Sequence, residues 1–237
     1  MNILFRYMLT AAAIIAVSIS SIAQSRSYLL DVGDFSELHV RDGISVDYAC
    51  SPDSAGKVTF ECDPEIASSI VFSNKGGKLS IQLSDPQLLP AGAVKPTLRV
   101  YSRFLTKANN TSDSTLRILS MNELPKFEAL QEGNGRLVLR SVNASEVKLT
   151  LRLGHGTLVA SGKCSQAKIH FTGTGLIQAD ALDANEVSIS CSGTGSIGVN
   201  PKEQMSVSGV GSTTVYYLGT PKIRDRAIGV KILPLAK

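Results

Sequence analysis

The sequence predicts an all-β protein built as a parallel β-helix (a solenoid) with an N-terminal β-rich segment. Three observations carry this. First, Gly-x-Gly recurs five times in the C-terminal half, as Gly133-Asn134-Gly135, Gly154-His155-Gly156, Gly173-Thr174-Gly175, Gly193-Thr194-Gly195 and Gly209-Val210-Gly211, with first glycines 21, 19, 20 and 16 residues apart. Second, positions four and six after each first glycine hold Leu137/Leu139, Leu158/Ala160, Ile177/Ala179, Ile197/Val199 and Thr213/Val215, an alternation of period two at nearly fixed phase. Third, no stretch of the C-terminal half has helical periodicity. A repeat near twenty residues with strand alternation is the pattern of coils that bury their apolar faces against their neighbours.

Each element follows in order. The first 23 residues read as a secretory signal peptide: Arg6 supplies positive charge, Met8 to Val17 is apolar, and Ser21-Ile22-Ala23 is a small-x-small cleavage site. The apolar run is shorter than the ~20 residues that span a bilayer, so no transmembrane segment is expected after cleavage. No cysteine follows the site to take a lipid. Residues 24–34 are expected as a leader and 35–237 as a single domain, with an N-terminal β part at 35–115 and the Gly-x-Gly coils at 116–237.

Within the β part, Ile44, Val46, Tyr48 and Cys50 share one face of a strand, Val58, Phe60 and Cys62 another, and Leu79, Ile81 and Leu83 follow Gly76-Gly77. Pro64–Ile70 has room for one helical turn. Pro86, Pro90 and Pro96 mark 85–96 as a connection, and the polar run 107–114 reads as an exposed loop. In the repeats, the apolar residues at the fourth and sixth positions point inward, and the glycines make the corners. Val147-Leu149-Leu151-Leu153 carries one residue more before its glycine than Val187-Ile189-Cys191 does, which predicts a β-bulge near Leu151–Leu153. The tail, Ala227 to Lys237, is expected to cap the last coil.

Composition excludes several functions. Beyond residue 23, 23 Lys and Arg stand against 20 Asp and Glu, scattered singly, so no basic stripe suits nucleic acid. Tryptophan is absent and aromatics are 5% of the chain, too few for a stacking platform. Cys50, Cys62, Cys164 and Cys191 fall at positions that do not stack, and read as small buried thiols rather than bridges. Gly193-Thr194-Gly195-Ser196-Ile197-Gly198 spells the dinucleotide fingerprint, yet Val199-Asn200-Pro201 follows where a helix must receive the pyrophosphate. His155 and His170 could approach each other on adjacent coils, without partners that make a metal site; His39 stands apart. Asp180, Asp183 and Glu186 cluster in one turn, and Glu146 and Glu186 each precede a strand valine and could stack as a carboxylate pair, the acidic arrangements here that would suit a glycosidase. No catalytic residue, cofactor or metal ligand set is therefore assigned.

Taken together, Phe35-Ser36-Glu37-Leu38-His39-Val40, Gly43-Ile44-Ser45-Val46, Gly76-Gly77-Lys78-Leu79-Ser80-Ile81, the Gly-x-Gly series and Val215-Tyr216-Tyr217-Leu218-Gly219-Thr220-Pro221 resemble the autotransporter-adhesin head-domain family common in Bacteroidetes. The resemblance covers about 35–237 and implies a right-handed single-stranded β-helix. Members usually carry Asp or Asn after the second glycine; here that place holds Arg136, Thr157, Leu176, Ser196 or Ser212. Asp53-Ser54-Ala55 and Asp113-Ser114-Thr115 also resemble the O-glycosylation sites of Bacteroidetes envelope proteins, which marks Ser54 and Ser114. The function expected is an exported, non-catalytic envelope or cell-surface binding module of adhesin type. Its partner would be a surface glycan or an envelope protein, and its place the periplasm, the outer-membrane surface or the medium. The alternatives are a carbohydrate-active β-helix enzyme, namely a polysaccharide lyase or glycosidase, and a structural envelope component.

Overall fold

The computed structural model describes residues 25–89 and 92–235; the signal peptide expected at 1–23 lies outside them. Among the described residues the chain forms seventeen strands, one short α-helix and two 3-10 turns. The strands and the α-helix are β1 (Arg26–Asp31), β2 (Glu37–Arg41), β3 (Ser45–Cys50), β4 (Lys57–Cys62), α1 (Pro64–Ser69), β5 (Ile70–Lys75), β6 (Lys78–Leu83), β7 (Thr97–Ser102), β8 (Lys107–Thr111), β9 (Thr115–Ser120) and β10 (Leu124–Glu132). Four long strands follow, β11 (Arg136–Arg152), β12 (Thr157–Gly173), β13 (Leu176–Gly193) and β14 (Ser196–Gly211), and then β15 (Thr214–Tyr217), β16 (Lys222–Ile228) and β17 (Lys231–Pro234).

Each long strand bends at its middle, where the register shifts, as between Leu139 and Val142. Its first half belongs to one face of the solenoid and its second half to the other. Face 1 stacks β6, β2, β8, β10, the second halves of β11–β14, and β16 as parallel ladders. Face 2 stacks β7, β3, β9, the first halves of β11–β14, β15 and β17. Coiling thus begins at β2, well before the glycine repeats. The chain also steps backward once: β6 and β7 lie outside β2 and β3, and β8 and β9 then resume on the inner side. At the outer end β1 pairs antiparallel with β4, and β5 with β6, so the expected leader contains a strand of the cap. α1 starts at Pro64 with the Asp63 carboxylate accepting from Glu65 N–H.

The inward alternation forms continuous columns. Leu116, Leu137, Leu158, Ile177, Ile197 and Val215 are in register on successive strands and fully buried, each contributing roughly 1.5–3 kcal/mol. In the last repeat it is Val215, not Thr213, that joins the column. The reason is a phase change: Gly211 stacks on Gly193 while Gly209 lies opposite Cys191. Thr213 therefore takes the place of a second glycine, buried, with its hydroxyl donating to Gly193 O at 3.0 Å. The short 16-residue interval is thus partly a difference of phase: in register the coil runs from Gly193 to Gly211, 18 residues, still shorter than the 19 to 21 of the coils before it.

The second glycine of each of the first four pairs exists for proximity. A Cβ on Gly195 would stand 2.4 Å from Gly175 O and 2.5 Å from the Phe171 ring.

Three expectations are corrected. No bulge occurs at Leu151–Leu153: the β11–β12 ladder is unbroken from Glu146 through Arg152, and the extra residue is absorbed in the corner. Leu153 turns outward there, 62% exposed, in the left-handed region at φ 57°. Residues 107–114 are not an exposed loop but β8 and its corner, with Ala108, Asn109, Asn110 and Ser112 buried, because the polar side chains hydrogen-bond across coils. The tail does not cap the last coil; β16 and β17 add another one.

One core runs the length of the solenoid. It includes a polar rung, Asn110 donating to Gln131 Oε1 at 2.8 Å, with both residues fully buried. All four cysteines are free; Cys62, Cys164 and Cys191 are buried and Cys50 is half-buried. Burial pushes the Cys164 thiol up to about 11, which leaves it an inert apolar filler. Among the described residues no helix is long and apolar enough to cross a membrane.

Candidate functional site

Because alternate residues of a strand point out, face 1 presents straight outward rows that cross the coils. One row begins Lys78, Glu37, Lys107, Glu128, Lys148, Lys168, and continues as Ser188, Ser206, Arg224. Its neighbour begins His39, Asn109, Leu130, Thr150, His170, and continues as Ser190, Ser208, Arg226. The face is thus charged over the earlier coils and hydroxyl-rich over the later ones. Linear distance in sequence hides both rows, since their members lie roughly a coil apart.

Between these rows lies a recess of about 330 Å³, formed by Lys107, Asn109, Leu130, Lys148, Thr150 and Arg152 with Glu128 and Ala129. Asn109 is only 6% exposed. Its Nδ2 donates to His39 Nε2 at 3.1 Å, while its Oδ1 has no partner and is fully enclosed. A buried acceptor without a donor is costly. Lys107 and Lys148 lie on either side of Glu128 in the row, and neither has a carboxylate within 4 Å among the described residues. Arg152 is paired with Glu132 at 2.7 Å.

His39 reports the local field. Burial, with Lys78, Lys107 and Arg41 nearby, lowers it to about 4, and the opposing influence of Glu37 does not offset them. The imidazole is neutral at neutral pH, so the 3.7 Å approach of Glu37 to Nε2 is not an ion pair. As acceptor of the Asn109 amide, Nε2 is the unprotonated nitrogen.

Two carboxylates of this face, Glu128 and Glu146, are held ionised. A hydrogen bond from Lys126 keeps Glu128 below the usual carboxylate range, and one from Lys168 at 2.6 Å does the same for Glu146. A glycosidase acid needs the reverse, a raised pKa. Glu146 and Glu186 are not neighbours either: Gln166 lies between them, donating to Glu186 at 3.3 Å. At ~4.8 Å per strand their strands stand about 10 Å apart.

The histidines do not converge. His155 sits in an exposed corner with Nδ1 2.8 Å from Thr174 Oγ1, and His170 projects from face 1. Among the described residues no cluster of His, Cys, Asp or Glu is arranged to hold a metal. Gly193, Gly195 and Gly198 lie in a coil corner and the strand after it, with no helix following.

Ser54 ends a half-exposed 3-10 turn at Pro52–Ser54. Ser114 is part-buried; its hydroxyl donates to Ile44 O and lies 2.8 Å from Ser112 Oγ.

The architecture has experimentally determined counterparts. A crystal structure of a putative adhesin from Bacteroides fragilis NCTC 9343 superimposes with TM-score 0.80 at 18% identity, covering 90% of this chain and 97% of that one. A putative lipid binding protein from Parabacteroides distasonis ATCC 8503 gives 0.71 at 16% identity, covering 91% and 98%. A putative adhesin from Parabacteroides merdae ATCC 43184 gives 0.69 at 15%, also covering 91% and 98%. At these identities the likeness is one of fold. Among curated proteins no sequence match was found. Residues 34–221 match the family described as putative auto-transporter adhesin, head GIN domain, and the chain belongs to that family.

Proposed function

We propose that this is an exported, non-catalytic binding module of the bacterial envelope that recognises a surface glycan with the outer side of face 1. The carrying observation is the recess at Asn109: a buried acceptor with no donor, beside two ammonium groups that have no carboxylate within 4 Å among the described residues. A sugar hydroxyl can donate to Asn109 Oδ1 once the overlying side chains move aside. A carboxylate or sulfate on the same saccharide answers Lys107 and Lys148. Binding without turnover accords with carboxylates held ionised by lysines rather than poised as acids. The adhesin description of the family accords with it too.

The test is a glycan array probed with the chain beyond residue 23, run beside a polysaccharide-cleavage screen. Acidic glycans are expected to bind, and Lys107→Gln with Lys148→Gln to weaken them about tenfold or more. Cleavage of any polymer, or an array on which the double variant binds as the parent does, refutes the reading.

A further inference from the structure

The two ends of the solenoid are built differently. The outer end is covered by β1, β4, β5 and α1, with antiparallel strands closing the stack. At the other end β16 pairs only with β14, and β17 only with β15, among the described residues. Each leaves one backbone edge unpaired among the described residues.

An open edge ordinarily invites another strand. Two residues oppose that here. Pro234 in β17 has no N–H to donate. Asp225 lies in register with Val207, so it occupies an inward position filled by buried apolar residues in the coils above, Ile169, Ile189 and Val207 among them. A strand added below, from a second copy or another protein, would enclose that carboxylate against the core column. Inward charge and edge proline are devices that keep sheet edges apart.

The side chains of this end suit a different occupant. β16 and β17 carry Lys222, Arg224, Arg226 and Lys231 against Asp225 alone. None of the four cations has a carboxylate within 4 Å among the described residues. Interleaved with them are large apolar residues left in water: Ile228 is 70% exposed, Leu233 43%, Ile223 39% and Leu235 39%. Val210, beside Ile228 in its outward row, is 60% exposed. Apolar side chains among cations, with a single carboxylate, Asp225, against four of them, are what peripheral attachment to an anionic lipid surface requires. Such a surface also asks nothing of the backbone edge.

We propose that the β16–β17 end docks on an anionic lipid surface. The exposed apolar side chains enter the headgroup region, and Lys222, Arg224, Arg226 and Lys231 meet the lipid phosphates. The long axis then stands away from the surface, leaving face 1 open along its length.

The experiment is co-sedimentation of the chain beyond residue 23 with vesicles of phosphatidylcholine alone and of phosphatidylcholine mixed with phosphatidylglycerol. Binding is expected only to the mixed vesicles and is expected to fall with salt. The pair Arg224→Glu and Arg226→Glu should weaken it about tenfold or more, and Ile228→Ser with Leu233→Ser should weaken it while leaving the salt dependence. All four positions are exposed, and an unchanged thermal melt shows that the variants fold. Equal binding to both vesicles, binding to neither, or binding indifferent to the substitutions overturns the proposal. So does a dimer by light scattering that the same substitutions dissociate, or a soluble polyanion such as dextran sulfate that binds tightly while vesicles do not. The glycan array with Lys107→Gln and Lys148→Gln reads a separate surface, so either proposal can fail alone.

Discussion

Asn109 on β8 gives its amide to the imidazole of His39 on β2, Nδ2 to Nε2 at 3.1 Å, across one rung of face 1. This bond fixes His39 as a neutral acceptor inside a cationic surround of Lys78, Lys107 and Arg41, with Glu37 the nearby carboxylate. The pairing makes a pH-dependent contribution to stability whose sign is determined. An unfolded histidine titrates near 6.5, and the folded one near 4. Between those values the unfolded chain holds the extra proton, so stability is full above pH 6.5 and is lost as pH falls toward 4. The whole shift corresponds to about 3.4 kcal/mol, of which about 2.5 kcal/mol is lost by pH 4.5. Urea unfolding at about pH 7.5 and about pH 4.5 is expected to show a loss in the parent that His39→Gln reduces by that amount. If the variant keeps the parent's full pH dependence, His39 is not its source.

A second prediction concerns the close approach of adjacent corners. Gly195→Ala would push a methyl group against Gly175 O and the Phe171 ring, both fixed by coils on the same stack. A loss of about 2–4 kcal/mol is expected from denaturant unfolding. Gly76→Ala is the control: its φ is +60° but nothing stands within 4 Å, so about 1 kcal/mol of backbone strain is the whole cost. Equal losses in the two variants would mean that coil spacing yields easily.

Much of the solenoid was legible because strand alternation repeats at each coil: Leu137, Leu158, Ile177 and Ile197 announce one column in four separate places. The phase of Gly209 was not legible. Gly-Val-Gly reads like its sister copies, and only the register of Gly211 on Gly193 shows that Thr213 replaces a glycine. The strand at 107–111 was missed because Asn109 and Asn110 look like loop residues; their burial follows from cross-coil hydrogen bonds that no local pattern encodes. The recess was hidden for the same reason, since Lys107 and Lys148 are 41 positions apart in the chain and meet only through β10. The Glu146–Glu186 stack failed by one intervening coil, because both precede a valine in a repeat that has a third copy, Gln166-Ala167, between them.

The two serines marked for O-glycosylation now differ in accessibility. Ser54 lies in a half-exposed turn, whereas the Ser114 hydroxyl is committed to Ile44 O inside a corner. A glycan on Ser114 would break that bond, and a glycan on Ser54 breaks none among the described residues. Intact-mass measurement of protein purified from its native host is expected to show added mass that disappears in Ser54→Ala and persists in Ser114→Ala. A polypeptide of unmodified mass would exclude glycan at both.

Leu153 offers a test of how the extra residue is accommodated. Its backbone is left-handed at φ 57°, a conformation that costs a branched L-residue about 1–2 kcal/mol. Its side chain is 62% exposed, so little burial offsets that cost. What the corner uses is the backbone: Leu153 O accepts from Gly133 N, and Leu153 N donates to Thr172 O at 3.0 Å. Leu153→Asn keeps both bonds and tolerates the left-handed region, so it is expected to stabilise the fold by about 0.5–1 kcal/mol. Leu153→Val, branched at Cβ, should do the opposite. The ordering Asn above Leu above Val in urea midpoints would show that the insertion is held as turn strain. A loss in Leu153→Asn equal to that of a buried leucine would instead mean that the side chain packs inward and that the extra residue lies within the strand.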